Sequence, residues 1–396
     1  MVIKIRLLLF VLLAFTGLYQ IQAQATDTSK PVRIAVLAPL YIDSAFNDYS
    51  YKLGENSIPQ YILSGLDFYN GVMLAIDSLQ QEGAHAEVFI YDTKSTKQTL
   101  NELCGRMKFM NFSLIIASLN NSLEQSTFSA FSFENNIPFI SVTYPNDANV
   151  NANPFFVLLN STIKTHTEAI YKFAQKNYSS AKTVFITKKG FLEEKVWRDF
   201  TRQDTLAKQA KLKYKPAELD DNFTPADILP LLDSTKQNLL ICGSFNQGFG
   251  VKLVQTISAA KSYRTTIIGM PNWDGFRDLN KETANGVEIV YTSPFNFSRN
   301  DKAGYVISTL YKIKYFARPS DMVFKGFESM YHFSHLVLQY HNDLINHLSD
   351  NSFKISNEFS IQPVKINPQS FIPDYQENKT IYFIRKLNGS LVSVSR

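Results

Sequence analysis

Apolar segments of strand length alternate with helix-patterned segments along most of these 396 residues, and that rhythm constrains the fold more than any other feature. Residues 33–40, Arg-Ile-Ala-Val-Leu-Ala-Pro-Leu, hold an apolar run, 34–38, bounded by Pro31 and Pro39. Such a run is typical of a strand buried on both faces of a parallel sheet. Over residues 65–79, Leu66, Tyr69, Val72, Met73, Ile76 and Leu79 fall on one helical face. A strand is then expected at 87–92, a helix at 96–110, a strand at 114–117, a helix at 125–134 and a strand at 137–142. The alternation restarts after a strand at 155–159. Helices are expected at 166–177, 191–209, 225–232 and 250–260, interleaved with strands at 183–187, 210–214, 238–242 and 265–269. Alternation of this kind gives right-handed βαβ units and parallel sheets covered by helices on both faces. One sheet rarely absorbs so many strands, so two sheets and two lobes are expected. The rhythm ends with a long amphipathic helix at 327–348 and a hairpin, 381–385 and 391–394, around Leu387-Asn388-Gly389-Ser390. Asn-Gly between apolar runs is a strong turn signal because both residues tolerate positive φ.

The amino terminus reads as an export signal. Lys4 and Arg6 precede an apolar stretch from Leu7 to Leu18, and Ala23-Gln24-Ala25 offers a small-residue cleavage site. The stretch is short for a membrane span, so residues 1–25 are expected to be a cleaved signal peptide and the mature chain to carry no transmembrane segment. No cysteine follows the apolar run, which argues against a lipid anchor. The formal net charge is +5, two units of it from Lys4 and Arg6. The remainder is too small to indicate a nucleic-acid partner, whose phosphates demand a dense basic face. The only cysteines, Cys104 and Cys242, are expected to be free thiols buried as small hydrophobes.

The ordered blocks of the chain resemble the type I periplasmic binding-protein superfamily, in particular the leucine/isoleucine/valine-type receptors of ABC importers. The resemblance rests on 33–40 followed by 65–77, Tyr91-Asp92, Leu114-Ile-Ile-Ala-Ser118, Glu134-Asn-Asn-Ile-Pro-Phe-Ile-Ser141, Asn238-Leu-Leu-Ile-Cys-Gly-Ser-Phe245 and Ile267-Ile-Gly-Met-Pro-Asn-Trp273. It implies an α/β fold of two Rossmann-like lobes joined by a multiple-crossover hinge. Lobe one is drawn as 31–158 plus 294–340, and lobe two as 159–293 plus 341–396.

Helices that follow parallel strands aim their amino termini at the strands' carboxyl ends, where unpaired amides and helix dipoles collect. Ligand contacts are therefore expected from Ser118, Asn120, Ser141, Thr143 and Tyr144 on lobe one. In the resemblance, these positions hold a ligand carboxylate. Phe191, Ser244, Phe245, Trp273 and Asp274 are the expected contacts from lobe two. Ser118 and Asn120 also suit helix capping, and Trp273 also suits a buried packing role. The chain departs from amino-acid receptors where they carry a carboxylate against the ligand ammonium. Pro271 or Asn272 stands near that place, Asp274 is the only nearby acid, and Phe245 stands where a tyrosine is often found.

Other constellations carry less. Glu328, His332 and His335 share a helical face, but no further His or Cys cluster closes a metal site. Lys208, Lys211, Lys213 and Lys215 read as the solvated side of an edge strand. No nucleophile elbow, P-loop or Gly-x-Gly-x-x-Gly follows a strand, so no enzyme and no cofactor is expected. The expected function is an exported receptor that closes on a small polar ligand, for sensing or for delivery to an inner-membrane ABC permease. The alternative is an envelope interaction protein of the same fold that binds a protein or cell-wall partner.

Overall fold

The computed structural model describes residues 31–54, 58–207 and 211–396; the expected signal peptide lies outside the described residues. Fourteen strands form two seven-stranded sheets. The first sheet takes β1 (Arg33–Ala38), β2 (Glu87–Asp92), β3 (Leu114–Ala117), β4 (Phe139–Ser141) and β5 (Phe156–Leu158). The second takes β6 (Lys182–Thr187), β7 (Lys215–Glu218), β8 (Asn238–Cys242), β9 (Thr265–Ile268) and β10 (Glu288–Ser293). The remaining strands are β11 (Ile361–Val364), β12 (Tyr375–Asn378), β13 (Tyr382–Leu387) and β14 (Ser390–Ser395). Spatial order is β11-β12-β5-β4-β3-β1-β2 in one sheet and β14-β13-β10-β9-β8-β6-β7 in the other.

Each sheet is thus a parallel run of five strands in the same doubly wound order, finished by two later strands at one edge. The order reverses between β1 and β3 in the first sheet, and between β6 and β8 in the second. The longer helices are α1 (Gln60–Gln81), α2 (Leu100–Met107), α3 (Ser122–Asn135), α4 (Ile163–Asn177), α5 (Phe191–Leu206), α6 (Gln247–Ala259), α7 (Lys302–Tyr315) and α8 (Asp321–Tyr340).

Strand periodicity divides the first lobe's core into two layers. Ile34, Val36 and Ala38 of β1 pack with Phe68 and Val72 of α1 and with Phe324, Met330 and Phe333 of α8. Ala35 and Leu37 pack on the opposite face with Leu103, Met107 and Phe128. Helices α1 and α8 meet backbone to backbone. A Cβ on Gly71 would stand 2.0 Å from the Val323 carbonyl oxygen, and one on Gly326 would stand 2.1 Å from that of Phe68. The second lobe has one large core around Phe185, Phe200, Ile241, Val254 and Trp273.

Several expectations are corrected. The segment after 340 does not stay with lobe two: β11 and β12 complete the first sheet. Gln376 and Glu377 of β12 pair in parallel with Val157 and Leu158 of β5. Leu344, Leu348, Phe359 and Ile361 enter the first lobe's core. The chain therefore passes between sheets after β5, after β10 and after β12. The helix expected at 327–348 is α8, which starts at Asp321 because Ser320 caps it through the Met322 amide, and which gives way to a 3-10 turn at His341–His347. The strand expected at 210–214 is β7 at Lys215–Glu218, an edge position where Pro216 needs no amide partner. The hairpin stands as expected, with Asn388 and Gly389 both at positive φ (51° and 70°).

Candidate functional site

Open parallel sheets bind ligands at the carboxyl ends of their strands, where strand order reverses. In the first sheet that point lies between the residues following β1 and those following β3. Asp92, closing β2, accepts hydrogen bonds from the Leu40, Tyr41, Ile42 and Lys94 amides, which fixes the loop after β1. Ser118 Oγ lies 3.4 Å from Thr143 Oγ1. Thr143 Oγ1 donates to the Leu119 carbonyl (2.7 Å) and accepts from the Leu119 amide (2.9 Å). The ends of β3 and β4 are joined in this way at the switch point.

The first turn of α3 is capped by Asn121, whose side chain accepts from the Glu124 amide at 2.9 Å. Neither Ser118 nor Asn120 is the cap, and Asn120 is exposed. Glu124 is buried at that helix end and pairs with Lys94 at 2.6 Å. A carboxylate of the chain itself thus sits among the amino-terminal amides of α3, a place that favours negative charge.

Ser141 lies below this layer: it is fully buried and donates to Gln125 Oε1 at 2.5 Å. Tyr144 is half-buried and packs against the lobe-one core. Of the five residues expected from this lobe, the structure brings Ser118 and Thr143 together, leaves Asn120 beside them in solvent, and commits Ser141 to the core.

In the second sheet the reversal lies between the ends of β6 and β8. Glu193, in the first turn of α5, accepts from Ser244 Oγ at 2.9 Å. Gly190 gives its carboxylate room, since a Cβ there would stand 2.3 Å from Glu193 Oε2. Ser244 is fully buried, and its Oγ also accepts from the Asn246 amide (3.2 Å). Asn246 in turn caps α6 through the Phe249 amide (2.9 Å).

Trp273 is 1% exposed. Its indole fills a slot against Gly269 and Gly250, where an added Cβ would stand 2.0 and 2.8 Å from ring atoms, and its Nε1 donates to the Ser244 carbonyl at 3.3 Å. The structure thus places the Ser141, Ser244 and Trp273 side chains in the lobe interiors. Phe245 is half-buried against the lobe-two core. Phe191 is 78% exposed at the start of α5.

Asp274 is exposed and accepts from the Tyr291 hydroxyl at 2.6 Å, while burial raises the Tyr291 pKa above the ordinary tyrosine value. Across from it, burial lowers the pKa of Lys325 on α8, and Asp321 and Asp274 oppose that shift. The Lys325 ammonium stands 4.8 Å from the centre of the Phe295 ring, in the segment that follows β10. The one acid near the place expected for an ammonium partner thus hydrogen-bonds Tyr291, and bears on Lys325 less than Asp321 does.

Two cavities open along the β7 edge, neither lined by any of the ten expected residues. One, of about 490 Å³, is bordered by Trp197, Asp204, Leu212 and Tyr214. The other, of about 360 Å³, is bordered by Lys188, Lys189, Glu194, Trp197 and Glu218 and lies at the carboxyl ends of β6 and β7. Trp197, shared by both, was not singled out from the sequence; its position in the middle of a helix carries no strand-end signal. The His332, His335 and Glu328 group disperses. His332 is buried against Phe333 and Phe359, His335 Nε2 meets Glu82 at 3.0 Å, and Glu328 accepts from the Ser356 (2.7 Å) and Asn357 (2.6 Å) amides. Both cysteines are free, and burial raises their pKa values to about 11 for Cys104 and about 12 for Cys242.

No protein-family model and no curated protein sequence matches the chain. Solved structures match its shape. A candidate branched-chain amino acid ABC transporter of Rhodospirillum rubrum superposes with a TM-score of 0.65 at 11% identity, covering 91% of this chain and 99% of that one. An ABC transporter substrate-binding protein of Desulfitobacterium hafniense in complex with Leu gives 0.57 at 11% identity, covering 92% and 99%. A solute-binding protein of R. palustris in complex with benzoate gives 0.51 at 16% identity, covering 92% and 95%. The chain has the two-lobed α/β fold of these substrate-binding proteins, the type I periplasmic binding fold. Among the described residues, no helix is long and apolar enough to cross a membrane.

Proposed function

We propose that the chain is an exported solute-binding receptor whose lobes close on a small polar ligand, serving ABC-type uptake or sensing without transforming that ligand. The observation that carries this reading is the twin topology: both sheets reverse strand order beside hydroxyl-bearing strand ends, with the Ser118–Thr143 pair at the first reversal. Closure is then a population shift, driven by contacts that exist only when both lobes touch the ligand. Asn120, Thr143, Phe191, Phe245 and Asp274 are the contacts proposed, with Ser118 holding Thr143 in place. Leucine and benzoate, found in proteins of this fold, share a carboxylate.

The test is thermal unfolding of the purified protein against amino acids, aromatic and aliphatic carboxylates, short peptides and cell-wall fragments. A ligand at one hundred times its Kd adds about 2.7 kcal/mol, which raises the melting temperature by several degrees. Thr143→Ala abolishes that rise if the site is placed correctly. A second reading, an envelope interaction protein, is favoured by one observation: Ser118, Ser141, Ser244 and Glu193 already satisfy one another or their neighbours. A flat response across all four ligand classes supports it over the receptor.

A further inference from the structure

Helix α7 is apolar on two sides. Its inner side carries Gly304, Ile307 and Tyr311, all buried. Gly304 lies directly on the chain at Ser298, where a Cβ would come 1.8 Å from the carbonyl oxygen. Tyr311 donates to Asp67 at 3.1 Å and Lys314 pairs with Asp77 at 2.6 Å, so α7 is anchored on α1. Its outer side is in solvent: Tyr305 is 68% exposed, Val306 45%, Leu310 38%, Ile313 67% and Phe316 91%. Their three- and four-residue spacing makes one stripe along the helix. A helix apolar all round is ordinarily buried on both sides.

The charge around this stripe has one sign. Between Asp301 and Asp321 there is no acidic residue, whereas Lys302, Lys312, Lys314 and Arg318 all fall there. The nearest acids are engaged elsewhere. Asp301 caps α7 through the Gly304 amide, and Asp321 pairs with Arg299. Asp77 holds Lys314, and Asp67 accepts from Tyr311 and Ser320. Among the described residues, Lys302, Lys312 and Arg318 have no carboxylate within ion-pairing distance. The small net charge of the whole chain conceals this local imbalance.

We propose that the outer face of α7 is a membrane-surface site that docks on anionic lipid headgroups. A face combining an apolar stripe with basic flanks suits the plane of a lipid interface. Tyr305, Ile313 and Phe316 enter the boundary between headgroups and acyl chains, while the lysine stems extend their ammonium groups to the phosphates. A second copy of the chain fits less well, because a symmetric contact across this stripe sets lysine against lysine.

The test is co-sedimentation of the chain from residue 26 onward, which retains both complete sheets and omits the amino-terminal apolar run. The probes are phosphatidylcholine vesicles with and without roughly a third phosphatidylglycerol, at low and physiological salt. The expected result is pelleting with the anionic vesicles only, weakened by salt. Ile313→Asp with Phe316→Asp, or Lys302→Glu with Lys312→Glu, lowers the bound fraction about tenfold and leaves the melting temperature unchanged. Absence of pelleting, or equal pelleting by all variants, overturns the proposal. So does a wild-type dimer in sedimentation velocity that Ile313→Asp dissociates, which would assign the face to a second copy.

Discussion

Nδ1 of His166 lies 2.8 Å from Oγ1 of Thr292, so the helix that follows the first passage between sheets is tied to the strand that leads into the second. The third passage joins the same knot. Glu377 of β12 accepts from the Thr162 amide (2.7 Å) and from Thr165 Oγ1 (2.8 Å), and Ser161 donates to the Asn378 carbonyl (2.6 Å). All three connections between the lobes thus meet in one buried polar cluster.

His166 in that cluster makes stability depend on pH. Burial lowers its pKa to about 4, with Glu377 opposing the shift, from an ordinary value of 6.5. Because the folded-state value is depressed, the unfolded chain takes up the proton first as pH falls. The contribution is complete above pH 6.5 and is lost progressively toward pH 4. Between pH 7 and pH 4.5 this one group removes about 2–3 kcal/mol. Urea unfolding at the two pH values checks it: His166→Gln should show a drop smaller than wild type by about that amount. Equal drops would show that the imidazole protonates freely in the folded state.

The contact between α1 and α8 tolerates no added carbon. Gly71→Ala or Gly326→Ala sets a methyl group about 2 Å from a carbonyl oxygen, so the helices must separate. Overpacking of this kind costs about 1–3 kcal/mol or more. Each variant should melt several degrees lower, and Gly105→Ala, with open space around its Cβ position, should not.

Trp273 and Phe191 separate structural from surface roles on lobe two. Trp273→Ala empties a packed slot and should cost about 3–5 kcal/mol, with or without ligand present. Phe191→Ala should change stability by less than about 0.5 kcal/mol, so any loss of ligand response in that variant reports on binding. Denaturant titrations of both, repeated with a ligand found by the melting survey, decide the point.

The parallel strands were legible because they are buried on both faces and therefore read as unbroken apolar runs; the reading of Asn238–Cys242 coincides with β8 to the residue. Strands β11 and β12 escaped for the opposite reason. Pro363 interrupts the first, and the second, Tyr375-Gln-Glu-Asn378, is polar yet buried throughout. Tyr375 packs on Phe156 in the core, while Glu377 and Asn378 make hydrogen bonds at the hinge in place of apolar contact, so hydropathy carries little trace of the strand. Thr99 and Glu102 form a capping box that starts α2 at Leu100 rather than at 96, and the Thr-x-x-Glu spacing that makes it is present in the sequence. At the first reversal, strand-end position sets Ser118 beside Thr143. Trp273 also follows a strand end but lies inside the lobe, because two glycines distant in sequence, Gly250 and Gly269, make the slot that draws the indole inward.

The last stretch of the chain adds two strands to the rim of each sheet, β11 and β12 on one and β13 and β14 on the other. Neither half can finish until these four strands have been synthesised. A nascent chain therefore holds no completed sheet until these last strands have emerged, and the two halves mature together.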